Sequence, residues 1–325
     1  MIQYRHLILS ALLLLSGLSF AQETTKEERE PGHLNTNKFR QLYQEFSTPN
    51  QYRTASGAPG HEYYQQKADY KINLELDDKQ QKIFGQETIT YTNNSPDALE
   101  YLWLQLDQNI RAKDSKSPLR NGGGVPAADQ PSTFVGKHFD APFEGGFNIE
   151  YVKDTNGKGL KYTINQTMMR IDIPKPLKAG EKISFSVKWW YNINDHVNQR
   201  GRSGYEYFEK DDNYAYVIAQ FFPRMCVYND VEGWQNFQFW GNGEFALVFG
   251  DYDVNITVPA DHIVDRTGEL QNRKEVFSKT MMNRYNQARK SFDKPVMIVT
   301  QTEAEANEKS RSAEKKTWKF SAKNV

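Results

Sequence analysis

From residue 70 the chain alternates strictly between apolar and polar side chains. Tyr70, Ile72, Leu74 and Leu76 are interleaved with Lys71, Asn73, Glu75 and Asp77. A period of two sends successive side chains to opposite faces, so this stretch can be half buried as a strand but not as a helix. Asp77-Asp78-Lys79-Gln80 supplies turn residues, and residues 83–91 return with β-favouring Thr88, Ile89, Thr90 and Tyr91. The pattern predicts an antiparallel hairpin with one buried face. Leu102, Leu104 and Leu106, alternating with Tyr101, Trp103 and Gln105, predict a third strand. Further strands are expected over 147–153, 160–164, 168–173, 182–192, 214–219, 244–249 and 252–258. In the segment 182–192, Trp189 and Trp190 face opposite sides of one strand, so at least one belongs to a core. Helical periodicity is confined to 38–46, 278–290 and 302–312. The fold class is therefore mainly β: an antiparallel β-sandwich or saddle of stacked sheets, with short helices near the N-terminus and in the C-terminal part.

Composition narrows the function. Lys and Arg number 41 and Asp and Glu 41, so no basic excess exists to neutralise the phosphates of a nucleic acid. The aromatic content of 19 Phe, 18 Tyr and 6 Trp supplies a core and argues against a wholly disordered chain. A single cysteine, Cys226, rules out an internal disulfide and a cysteine-based zinc knuckle.

The first residues read as an export signal. Arg5 and His6 precede an apolar run over residues 7–18, and Ser19-Phe20-Ala21 places small residues at the two positions a signal peptidase reads. The run is short for a membrane span, with an uncleaved anchor as the alternative. Cleavage is expected after Ala21, giving a periplasmic or secreted protein. Residues 22–69 read as a polar leader, a short helix and a turn-rich approach, and residues 70–325 as one β-domain. Gly122-Gly123-Gly124 and several prolines mark 111–146 as a long loop. Nothing after the signal reads as a membrane span.

Motifs for catalysis are missing. Six histidines are scattered, and the one His-Glu pair, His61-Glu62-Tyr63-Tyr64-Gln65, ends in Gln where a zinc peptidase helix needs a second His one turn on. Gly201-Arg202-Ser203-Gly204 is spaced wrongly for a nucleophile elbow. Cys226 lies in an apolar run and reads as a buried, inert thiol. The glycine triplet lacks the Lys-Ser/Thr that follows in a phosphate-binding loop. No metal ligand set and no catalytic residue is assigned to this chain.

One long stretch carries a resemblance. It reads Ala215-Tyr-Val-Ile-Ala-Gln220-Phe-Phe-Pro223-Arg224-Met-Cys-Val-Tyr228-Asn-Asp230-Val-Glu-Gly233-Trp234. Gly241-Asn-Gly243-Glu244-Phe245, Phe249-Gly250-Asp251-Tyr252-Asp253-Val254 and Thr267-Gly268 follow. Upstream stand Phe84-Gly85-x-Glu87-x-Ile89 and Leu102-Trp103-Leu104-x-Leu106-Asp107-x-Asn109. In order and spacing these resemble the N-terminal β-domain of the gluzincin zinc aminopeptidases of the aminopeptidase N type, in particular a secreted, Bacteroidetes-like branch. The resemblance covers roughly residues 55–325. It implies a peptide substrate and a following catalytic domain that would hold zinc through His-Glu-x-x-His and a downstream Glu. It also implies that the N-terminal domain lends a Gln or Glu to the substrate's free α-amine, a position matched by Gln220; the alternative is a polar residue at a strand end. Tyr228, Asp230 and Glu244 are weaker substrate-binding candidates. The zinc motif and the family's Gly-x-Met-Glu-Asn motif are both absent, so the chain is expected to be a non-catalytic fragment of a longer peptidase. The alternative is a stand-alone secreted β-sandwich module that binds peptide or glycan.

Overall fold

A computed structural model describes residues 49–120, 128, 130–131, 134–135, 143–199, 201, 203–243 and 246–325. The expected signal, the leader, the helix over 38–46, Glu244 and most of the glycine-rich loop lie outside the described residues.

The chain is built mainly from strands. The first group is β1 (Lys67–Asp77), β2 (Lys82–Thr92), β3 (Leu99–Gln105), β4 (Asn148–Asp154), β5 (Tyr162–Asn165), β6 (Met168–Leu177) and β7 (Lys182–Asn192). A short hairpin of β8 (Gly204–Phe208) and β9 (Asn213–Val217) follows. After it come the two-residue strands β10 (Arg224–Met225), β11 (Tyr228–Asn229) and β12 (Gly233–Trp234). The chain closes with β13 (Tyr252–Pro259), β14 (Glu269–Leu270), helices α1 (Lys279–Ala288) and α2 (Gln301–Asn307), and β15 (Lys315–Ala322). Seven strands form one sheet in the order β14-β15-β13-β1-β2-β7-β4, and four form a second in the order β10-β3-β6-β5.

The alternating segments behave as their period requires. Along β1, Ala68, Tyr70, Ile72, Leu74 and Leu76 are buried, and the interleaved residues are exposed or half-buried. Across the hairpin Leu74 pairs with Gly85, and on the next strand Gly85 pairs with Trp189. A Cβ at Gly85 would stand 2.4 Å from the Trp189 ring, so glycine is needed where the indole crosses β2. Trp189 is fully buried, whereas Trp190 is half-buried on the other face beneath Lys82, whose Nζ lies 5.0 Å from the indole centroid. Buried faces of the two sheets share one apolar core, and the Tyr70 hydroxyl of the large sheet accepts from the Met225 nitrogen of β10 at 2.9 Å.

Three details depart from the sequence expectation. The pairing is antiparallel except between β1 and β13, which run parallel with Tyr70 opposite Tyr252. Residues 246–249 form no strand. They approach β1 through a single bond, Ala68 nitrogen to Phe249 oxygen at 3.1 Å, because Gly250 comes so close to the Ala68 carbonyl that no side chain fits between them. The second helix ends at Asn307 rather than 312. Its start is set by a capping box in which the Thr300 side chain accepts from Glu303 nitrogen and Glu303 reaches back to Thr300 nitrogen at 2.9 Å. Helix α1 is capped at its start by Ser278, whose hydroxyl accepts from Met281 nitrogen at 3.2 Å. No helix among the described residues is long and apolar enough to cross a membrane.

Candidate functional site

The end of β3 runs into a 3-10 turn, Asp107–Arg111, and this turn organises the candidate site. Gln105, Asp107, Gln108 and Asn109 are all buried here, an unusual density of polar groups for a core position. Each has partners, as buried polar groups must. Asp107 receives Arg224 through Nε at 2.9 Å and Nη2 at 2.5 Å, and its other oxygen accepts from Gln105 Nε2 at 2.9 Å. Burial pushes the Asp107 carboxyl up, against the downward pull of the Arg224 guanidinium and the Gln105 amide. Asn109 accepts from Phe147 nitrogen at 2.8 Å and donates to the Gln166 carbonyl at 2.8 Å, so it ties the far end of the long loop and the turn between β5 and β6 to the end of β3.

Gln108 faces the residues that the resemblance singles out. Its Nε2 donates to the carbonyls of Ala219 at 3.0 Å and Gln220 at 3.1 Å. Arg111 Nη1 steadies the other end of the same amide at 3.3 Å. The Ala219 nitrogen donates to the Ser203 hydroxyl at 3.1 Å, and the Trp189 indole donates to the Phe221 carbonyl at 3.2 Å. Side chains from three separate segments therefore fix the backbone of residues 219–221. They hold an unfavourable geometry: Gln220 has φ of +52°, in the left-handed region that a non-glycine residue occupies at a cost of about 1–2 kcal/mol. Strain of this kind persists only where the surroundings over-determine it. The side-chain amide of Gln220 is half-buried and makes no hydrogen bond to the described residues. Backbone and side chain thus have different fates. The main chain is clamped, while the carboxamide is left to accept or donate elsewhere.

The other candidates have their polar groups engaged within the fold. Tyr228 is buried, its hydroxyl 2.6 Å from Asp97, and burial together with that carboxylate pushes the phenol far up. Asp230 accepts from Arg53 through Nε at 2.8 Å and Nη2 at 2.9 Å, a fork that raises the arginine's own pKa. The structure does not bring these two beside Gln220. Gln108 follows β3 and Asp97 precedes it, so the two anchors stand at opposite ends of a strand that spans ~20 Å. Glu244 lies outside the described residues. Cys226 is buried against Met168, and desolvation pushes its thiol up, which disfavours the thiolate a nucleophile needs.

Gln108, Arg111 and Ser203 are contributors that sequence reasoning missed. Asp107 and Asn109 were visible only as part of a spacing pattern. A buried Asp-Gln-Asn run directly after an apolar strand is the signal that could have pointed to them. Among the described residues, no three His, Cys, Asp or Glu side chains are arranged to hold a metal.

No family model and no curated protein matches the chain. Among solved structures, it is similar to an M1 zinc metallopeptidase from Deinococcus radiodurans, at 12% identity and a TM-score of 0.37, over 79% of this chain and 39% of that one. A variant of that enzyme bound to a Tyr-Ser-Ala substrate gives 12% identity and a TM-score of 0.38 over 79% and 39% of the two chains. A two-domain M1 zinc metallopeptidase variant bound to L-tryptophan gives 12% and 0.38 over 81% and 41%. A likeness this distant is coarse and says nothing about individual residues or a reaction. The chain spans about two fifths of the length of each of these structures.

Proposed function

We propose that this chain is the non-catalytic N-terminal domain of an exported zinc aminopeptidase-like protein, and that it registers the substrate's free N-terminus through Gln220. The observation that carries the reading is the division at Gln220: a strained backbone held by Gln108, Ser203 and Trp189, and a carboxamide that makes no hydrogen bond to the described residues. A fixed side-chain carbonyl suits an ammonium group, which has three donors and no acceptor. Holding the residue rigidly matters because orientation, not new chemistry, is what such a group contributes. The motif order quoted above supports the same reading, since its pieces fall on β2, β3, the Gln220 turn and β13. Catalysis and zinc would belong to residues beyond those of this chain, and no reaction step is assigned to any side chain here.

The experiment has two parts. Reading the genomic frame past Val325 should reach His-Glu-x-x-His, and a stop codon with no such motif nearby favours a stand-alone binding module. The purified chain should hydrolyse no aminoacyl-arylamide; turnover with stoichiometric zinc would overturn its non-catalytic assignment.

A further inference from the structure

A cleft of about 850 Å³ opens beyond the part of the large sheet that the small sheet covers. Its floor is aliphatic: Leu74 of β1, Ile83 of β2, and Ile256 and Val258 of β13. The β8–β9 hairpin closes one side with Tyr214 and Tyr216, and the loop after β13 closes another. The volume falls in the range of small-molecule sites, about 300–1,000 Å³.

Arg266 is the exception in this lining. Its Nη1 is shielded from solvent and has no hydrogen-bond partner among the described residues, and the guanidinium sits 6.0 Å from the Phe320 ring. Desolvation pushes its pKa down, the mark of a cation without a counter-charge. Glu87, a buried carboxylate of the same sheet, does not serve it, because neither Glu87 oxygen has a hydrogen-bond partner among the described residues. A buried donor left unpaired is costly, and a guanidinium fork is shaped for a carboxylate.

We propose that this cleft binds an aliphatic monocarboxylate, with the acyl chain on the floor and the carboxylate on Arg266. An extended peptide fits the floor poorly, since its amide groups would find no partners among Leu, Ile and Val side chains. The charges around the cleft set the limit of one negative charge. Asp78, Asp212, Asp261, Asp265 and Glu308 outnumber Lys79, Arg266 and Arg311, so a polyanion meets repulsion. Two of those acids are already engaged. Asp261 accepts from Ser312 nitrogen at 2.7 Å, and Asp212 accepts from the Tyr207 hydroxyl at 2.9 Å. This site is independent of the amine-binding role assigned to Gln220.

The test is calorimetric titration of the full chain with decanoate below its micellar range, beside decan-1-ol and decyl phosphate. Decanoate should bind one per chain, more tightly than either analogue. Arg266→Ala should weaken decanoate ~10-fold or more, the loss of one charged hydrogen bond, and leave decanol unchanged. Ala313→Trp, a substitution at an exposed position of the lining, should block both ligands without touching the core. Non-saturable decanoate binding, equal binding by Arg266→Ala, or unimpaired binding by Ala313→Trp would each overturn the proposal.

Discussion

Glu87 is a costly side chain to bury, and replacing it should stabilise the protein. It lies on the buried face of β2, opposite Ile72 of β1 and Val187 of β7, and is 1% exposed. Neither carboxylate oxygen has a hydrogen-bond partner among the described residues. Burial alone pushes the carboxyl well above the usual carboxylate range. The folded state therefore keeps a proton that the unfolded chain releases above about pH 4.3. With more protons bound in the native state, stability falls as pH rises from there toward the raised folded value, by up to ~1.4 kcal/mol per pH unit. Below that window only the protonated carboxyl remains, a buried polar group without a partner, costing about 1–3 kcal/mol. Glu87→Met conserves length and removes both penalties. Denaturation monitored by circular dichroism should show a gain of about 1–3 kcal/mol at pH 4.5 and a larger gain at pH 7. At the lower pH this corresponds to a melting temperature roughly 2–10 °C higher. A variant that is less stable at both pH values, or a gain that does not grow with pH, would refute the reasoning and mean that Glu87 has a partner in solution.

Three further outcomes follow from the same geometry. Arg224→Ala leaves Asp107 buried without its counter-ion and should cost about 3–5 kcal/mol, measured by chemical denaturation. Gln220→Gly relieves the left-handed strain and should stabilise the chain by about 1 kcal/mol in the same assay; a loss would mean that the carboxamide is bonded internally. Hydrogen bonds from Thr300, together with Arg284, lower the Glu303 carboxyl to about 2. A depressed folded pKa gives stability that is present above about pH 4.3 and lost as pH falls through about 2, so amide exchange in α2 should accelerate across that interval and not before it.

The strands were the legible part of this protein. A period of two is a local property, and β1, β2 and β7 bury the residues their alternation selects. The parallel pairing of β1 with β13 was not legible, because nothing within either strand encodes a partner so distant in sequence. The site was legible only in outline. Gln220 could be named from its neighbours, but its positive φ could not, since a glutamine carries no signal for that backbone region. Tyr228 and Asp230 stood in the same motif, yet their partners Asp97 and Arg53 lie far upstream in the chain. The Arg266 cleft left no trace in the sequence. It arises where the β8–β9 hairpin and the loop after β13 fold over a sheet face whose residues look like ordinary core.

The most direct test of the central claim is the steady-state kinetics of Gln220→Ala in the full-length protein, with an aminoacyl-arylamide as substrate. Losing one hydrogen bond to a charged amine should lower kcat/KM by ~10-fold or more, and Gln220→Glu should retain most of the activity. Kinetics of Gln220→Ala indistinguishable from those of the parent would contradict the account and remove Gln220 from substrate recognition.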